Sequence, residues 1–191
     1  SFPRGSRFKD HQREILREVL SDTIEEVEGA LRRLYDQNAP LMRFLGTLGT
    51  PLPKVFQSTA WSAINGMLRR ALREEEPDPA QVQAILDEAK KVGADLDQTI
   101  LEYTLRSLVD KRAAEFAHKP TEYGRLHRLS SAVALCSRFP FPVNLAMAQN
   151  RCYAVLQSAF PLMAARTDLE GARWVTRFRD LAATLKVWVP N

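Results

Sequence analysis

Asn65, Gln149, Asn150 and Trp188 are the side chains of this 191-residue chain best placed, by type and neighbours, to touch a polar ligand. Asn65 shares a helix-spaced face with Trp61, Ile64 and Leu68. Gln149 and Asn150 stand in the run Asn144-Leu-Ala-Met-Ala-Gln-Asn-Arg-Cys-Tyr153. An amide on an apolar face has two uses. It contacts a ligand at a substrate rim, or it is a buried polar group that bonds neighbouring backbone and fixes helix register. Trp61, Trp174 and Trp188 offer flat faces for stacking on a sugar ring. The first two also fit helical core stripes, which favours packing. Trp188 lies in a Val-Trp-Val-Pro tail, either exposed or docked onto a partner segment.

Signatures of catalysis are missing. There is no Gly-rich phosphate loop, no Gly-x-Ser-x-Gly and no His-Glu-x-x-His. His11, His118 and His127 lack metal-ligand spacing, so no metal and no cofactor is expected. Carboxylates are abundant, but a glycosidase needs two facing each other across a cleft, roughly 5–10 Å apart. Glu25, Glu26 and Glu28 read as a solvated helix surface. Cys136 and Cys152 form no Cys-x-x-Cys and fall in apolar, helix-like sequence. They read as free buried thiols, with a bridge between them left open.

The chain carries a formal charge of +4 and a pI near 9.3, which invites a nucleic-acid reading. The 27 basic side chains are interleaved with 23 acidic ones, and no long basic block occurs, so no nucleic-acid partner is expected. Arg32-Arg33 and Arg69-Arg70 are expected near helix C-termini, where cations complement the helix dipole. The longest purely apolar run, Ala132 to Cys136, is far too short to span a bilayer, so no membrane partner is expected. The first residues have no signal-peptide core, and there is no initial Met. The expectation is a processed product or a piece of something longer.

Prolines and a few glycines parse the elements that must hold these side chains. Apolar residues recur at three and four rather than two, which predicts helices and no strand. The first helix is expected over residues 10–37, capped by Asp10. Its stripe of Leu16, Leu20, Thr23, Val27, Leu31 and Leu34, widened by Ile15, Val19 and Ile24, must be covered by other helices. A short helix over 40–48 follows, stopped by Gly49. The next spans 53–73, with Trp61, Ile64, Leu68 and Leu72 on its buried face. Asp78 and Pro79 open another that ends at Gly93. Asp97, Thr121, Asn144 and the pair Thr167 and Glu170 start the remaining four. The fold class is all-α: a single compact multi-helix bundle of roughly eight antiparallel-leaning helices, read as one domain over 1–191.

Several runs in order resemble a known family. They are Phe8-Lys-Asp-His-Gln-Arg-Glu-Ile-Leu16, Ala39-Pro-Leu-Met-Arg-Phe-Leu45, Pro51-Leu-Pro53, Asn65, Leu68-Arg-Arg-Ala-Leu72, Phe139-Pro-Phe-Pro-Val-Asn-Leu145, and Gln149-Asn150 with Tyr153. Together they resemble the C-terminal helical part of a bacterial and archaeal family of unknown function. In that family the helical part follows a glycoside hydrolase family 57 catalytic domain. The resemblance covers nearly the whole chain. It implies a cytoplasmic α-glucan-active enzyme, similar to α-amylases, whose catalytic Glu and Asp sit on the strands of an incomplete β/α barrel. No strand here can carry either residue, so this piece should be catalytically silent.

The expected function is a non-catalytic helical accessory domain that braces the barrel and walls part of the substrate cleft. Its partners would be the N-terminal catalytic barrel and α-glucan. The competing reading is a helical protein-interaction module with no carbohydrate role, marked by an exposed apolar groove.

Overall fold

A computed structural model describes the backbone of residues 4–189 and the side chains of residue 20 and residues 23–189. Among the described residues every regular element is a helix, as the apolar spacing predicts. In chain order they are α1 (Arg4–Thr47), α2 (Lys54–Arg73), α3 (Pro79–Val92), α4 (Gln98–His118), α5 (Tyr123–Cys136), α6 (Ala146–Ser158), α7 (Phe160–Ala164) and α8 (Leu169–Thr184). The chain divides into two compact units. One holds the residues up to Met67 together with Asp87–Leu96, and the other holds Leu68–Leu86 together with Asp97 onward. Of the three boundaries, two fall inside helices, in α2 and α3, and the third lies in the loop before α4.

In the first unit, α1 corrects the expectation of a break before Pro40. It is one helix of 44 residues that passes straight through that proline. Proline costs a helix interior the bond to the carbonyl four residues back and brings a ring clash. Here Pro40 and Asp36, the residue whose carbonyl loses its donor, are both exposed, so water can reach the orphan. The opposite face is anchored. Tyr35, Ala39 and Met42 recur at helical spacing with 2%, 3% and 0% exposure. Burial of that face holds the helix where local preference would end it. Two further expectations fall with the break. Arg32 and Arg33 lie inside α1 rather than at its end, and Arg32 reaches forward to Asp36 at 3.2 Å. Asp10 lies within the helix rather than before it, and its side chain is outside the described residues.

The apolar stripe of α1 is also corrected. Leu20, Ile24 and Val27 are each more than half exposed, and Leu34 is 39% exposed. Leu31 is half-buried. Leu16, Ile15 and Val19 lie outside the described side chains. Among the described side chains of α1, the buried ones are Tyr35, Ala39 and Met42.

The second unit is organised on α4, whose Leu101, Leu105, Val109, Ala113 and Phe116 are fully buried. It packs on α5 and α6, while α8 packs on α5 and α7. Phe116, Phe160, Trp174 and Phe178 form a ring cluster. Trp174 and Phe178 stack at 5.0 Å between centroids, and the Trp174 indole N–H donates to the Pro120 carbonyl at 2.9 Å. Such a pair combines large apolar area with a satisfied polar handle. Asp97 caps α4 as expected, accepting from the Ile100 N–H at 3.1 Å. Thr121 does not open α5, which starts at Tyr123 after Glu122. Asn144 accepts from the Ala146 N–H at 3.1 Å, one residue ahead of the cap position. The cap of α8 is Asp168 rather than Thr167. Its carboxylate accepts from the Gly171 N–H at 2.9 Å, and Arg166 bridges it to Glu170.

Candidate functional site

The first unit carries an open groove of about 890 Å³. Its walls are the C-terminal part of α1, the turn Gly49–Leu52, the early turns of α2, and the end of α3 with the loop after it. Close approach of backbone shapes one rim. A Cβ on Gly46 would lie 2.4 Å from the Lys91 carbonyl oxygen, so only glycine fits there without displacement. Gly49 and Gly93 both stand at φ +64°, the left-handed conformation that ends each helix. Gln57 donates to the Leu52 carbonyl at 2.7 Å and so holds the turn against α2.

Trp61 is the apolar feature of the groove. Sequence spacing puts it on a buried stripe, yet it is 43% exposed and lines the opening beside Gln57, Ser58 and Ser62. Ala60 and Ala63, at 0% and 3% exposure, fill the core at that turn instead, with Ile64 and Leu68 completing the stripe. The small alanines were the missed signal. Two of them beside a tryptophan mark a close-packed turn with little room for an indole.

Asn65 holds this wall in place. It is 5% exposed, and its amide donates to the Trp61 carbonyl at 2.8 Å and to the Asp95 carbonyl at 3.0 Å. One side chain thus ties the turn carrying Trp61 to the loop after α3. Of the two uses an amide has on an apolar face, Asn65 takes the second.

The helices on either side of the groove are tied at Glu88. The Tyr35 hydroxyl donates to its carboxylate at 2.6 Å and the Arg43 guanidinium at 2.7 Å, both to Oε1. Burial raises the pKa of Glu88, but the hydrogen bonds from Tyr35 and Arg43 and the charges of Arg43 and Lys91 outweigh it. The carboxyl is left below its ordinary value. Burial first, then the bond to Glu88, pushes the Tyr35 phenol well above its ordinary range, so it stays protonated and donates.

The other three sequence candidates belong to the second unit. Gln149 is half-buried and donates to the Leu185 carbonyl at 2.9 Å, which fastens α6 to the end of α8. Asn150 is exposed, and Trp188 is 79% exposed in the tail. A second cavity of about 300 Å³ in this unit is lined by Glu75, Glu76, Arg112 and Arg128. Arg112, 5% exposed, donates to the Glu75 carbonyl and pairs with Glu115 at 2.8 Å, while Arg128 stands 3.8 Å from Glu76. Cys136 and Cys152 are free and buried, and burial pushes both thiols up to about 12.

Among the described residues, the groove is lined by Trp61, by Thr50, Ser58 and Ser62, by Gln57, and by Lys90 and Lys91, with Asp95 its one acidic residue. That composition suits contact with an uncharged polyhydroxylated ring. It does not supply the facing carboxylate pair of glycoside hydrolysis. Among the described residues, no group of three or more His, Cys, Asp or Glu could hold a metal ion, and no helix is long and apolar enough to cross a membrane. Comparison with protein-family models, with curated proteins and with solved structures finds no match to this chain.

Proposed function

We propose that this chain is a non-catalytic helical accessory domain of an α-glucan-active enzyme of the glycoside hydrolase family 57 type, in which it braces the catalytic barrel and walls part of the substrate cleft. One observation carries the reading: Trp61 stands at the surface of an open groove among Gln57, Ser58 and Ser62, rather than in the core. A flat indole with hydroxyl and amide groups around it is the chemistry by which proteins hold a sugar ring. Asn65 keeps the turn that carries it in position. The ordered sequence runs that resemble the helical part of that family supply the context.

The test is calorimetric titration of the chain with maltoheptaose, repeated on Trp61→Ala, with an activity assay alongside. The expected outcome is weak, saturable binding by the parent chain, at least tenfold weaker in the variant, and no release of reducing ends. Parent and variant that give no heat, or binding that survives loss of Trp61, would remove the sugar contact. Clear hydrolysis by the pure chain would remove the non-catalytic assignment.

A second reading, a protein-interaction module without a carbohydrate role, is favoured by the exposed apolar residues of α1. Leu20, Val27, Leu34 and Leu41 follow one another at seven-residue intervals, with 58%, 53%, 39% and 47% exposure. A seven-residue apolar repeat is how a helix presents a seam to another helix. Replacing Leu20 and Val27 by Lys leaves glucan binding intact on the first reading. On the second, it abolishes the only association the chain makes.

A further inference from the structure

The second unit holds a cavity of about 380 Å³ lined by Ser130 and Ser131 of α5, Ser137 and Arg138 in the turn after it, Arg177 of α8, and Pro79 at the start of α3. Its lining includes no carboxylate. On α5, Ser130 and Ala134 share one helix face with Ser131 and Leu135 beside them, and the turn after the helix brings Arg138 to the same cavity.

The donors are positioned and partly unspent. Arg177 lies with its Nη2 2.7 Å from His127 Nδ1. A guanidinium has only donors, so the imidazole accepts at Nδ1 and carries its proton on Nε2. That contact fixes the arginine while its Nε stays buried without a protein partner. Ser130 Oγ is likewise buried and unpartnered. Arg138 is held from one side by Gln83 Oε1 at 3.1 Å. Ser137 has already given its proton to the Ala134 carbonyl at 2.7 Å and is not a donor to the cavity. Buried donors left unmatched are costly, and a native protein normally satisfies them with something.

We infer that this cavity is an oxyanion site that takes a phosphate monoester. Two fixed guanidinium groups and the hydroxyls of Ser130 and Ser131 present more donors than the two oxygens of a carboxylate can use. A tetrahedral dianion with three free oxygens matches them, and arginine forks are suited to it. Pro79 closes one side of the cavity at the start of α3 and supplies no N–H donor. Asp78, the negative group at that end, is engaged by the Ala80 N–H at 2.9 Å. The volume exceeds what the phosphoryl group fills, which leaves room for the organic part of an ester. The site belongs to the second unit and Trp61 to the first, and it stands or falls independently of the glucan reading.

The experiment is phosphorus NMR and calorimetry on the full chain at fixed ionic strength, with inorganic phosphate in one arm, glycerol 3-phosphate in the other and chloride as the control salt. The expected result is one saturable site, tighter for the ester. Binding should weaken at least tenfold in the Arg138→Gln, Arg177→Gln double variant and severalfold in Ser130→Ala. Circular dichroism checks that the variants fold, and Ser130→Ala decides if the double variant does not. No saturable binding by the parent chain overturns the site, and so does equal affinity in Ser130→Ala and the parent. Preference for inorganic phosphate overturns the assignment to an ester.

Discussion

Glu88 and Asn65 show what single side chains do here. Glu88 receives Tyr35 and Arg43 on one oxygen, and in the folded chain its pKa lies below the ordinary carboxylate value despite the cost of burial. A depressed folded pKa adds stability that is complete above the unfolded value and disappears as the pH falls through the folded one. Urea unfolding followed from pH 7 down through the carboxylate range should therefore show a loss of stability that is smaller in Glu88→Gln. Identical slopes would mean that the Tyr35 and Arg43 bonds do not discriminate the charged form. Asn65→Ala removes both donors from the Trp61 and Asp95 carbonyls. Denaturant melts should register about 1–3 kcal/mol of destabilisation, since a buried acceptor is left unmet. That Asn65 is a buried amide was legible from its neighbours Ile64 and Leu68. That Trp61 faces a groove was not, because period alone cannot tell which of two adjacent positions in a turn the core accepts.

At the scale of elements, α1 separates local preference from packing. Pro40 reads as a helix start, and by itself it is one. The buried set Tyr35, Ala39 and Met42 overrides it, and no periodicity within α1 announces that Tyr35 bonds Glu88 of α3. Pro40→Ala restores the missing bond and relieves the ring, so unfolding by urea should show stabilisation of roughly 1–3 kcal/mol. A loss of stability would indicate that the ring makes contacts the exposed position does not suggest. Helix ends with a specific chemical device were legible: Asp97 at the start of α4 and Gly93 after α3 act as their types dictate. Ends that rest on tertiary partners were not. Thr167 with Glu170 has the form of a capping box, yet Asp168 wins the role because Arg166 grips it from outside the helix.

At the scale of the molecule, the absence of strands among the described residues followed from apolar spacing alone, and the 27 basic residues are interleaved along the sequence with 23 acidic ones. Both thiols are interior, with pKa values pushed up to about 12. A thiol reagent at pH 8 should find none in the native chain and two after unfolding, which makes modification rate a reporter of opening. Rapid labelling of the native chain would show that Cys136 or Cys152 lies closer to solvent than its burial implies. One further property follows from the order in which the chain is made. The first unit is discontinuous, because Tyr35, Arg43, Gly46 and Asn65 find their partners in residues 88–95, beyond a stretch that belongs elsewhere. During synthesis, the part of the first unit before α3 therefore waits unfinished until that later segment has cleared the ribosome, and the emerging chain is most exposed to misassociation during that interval.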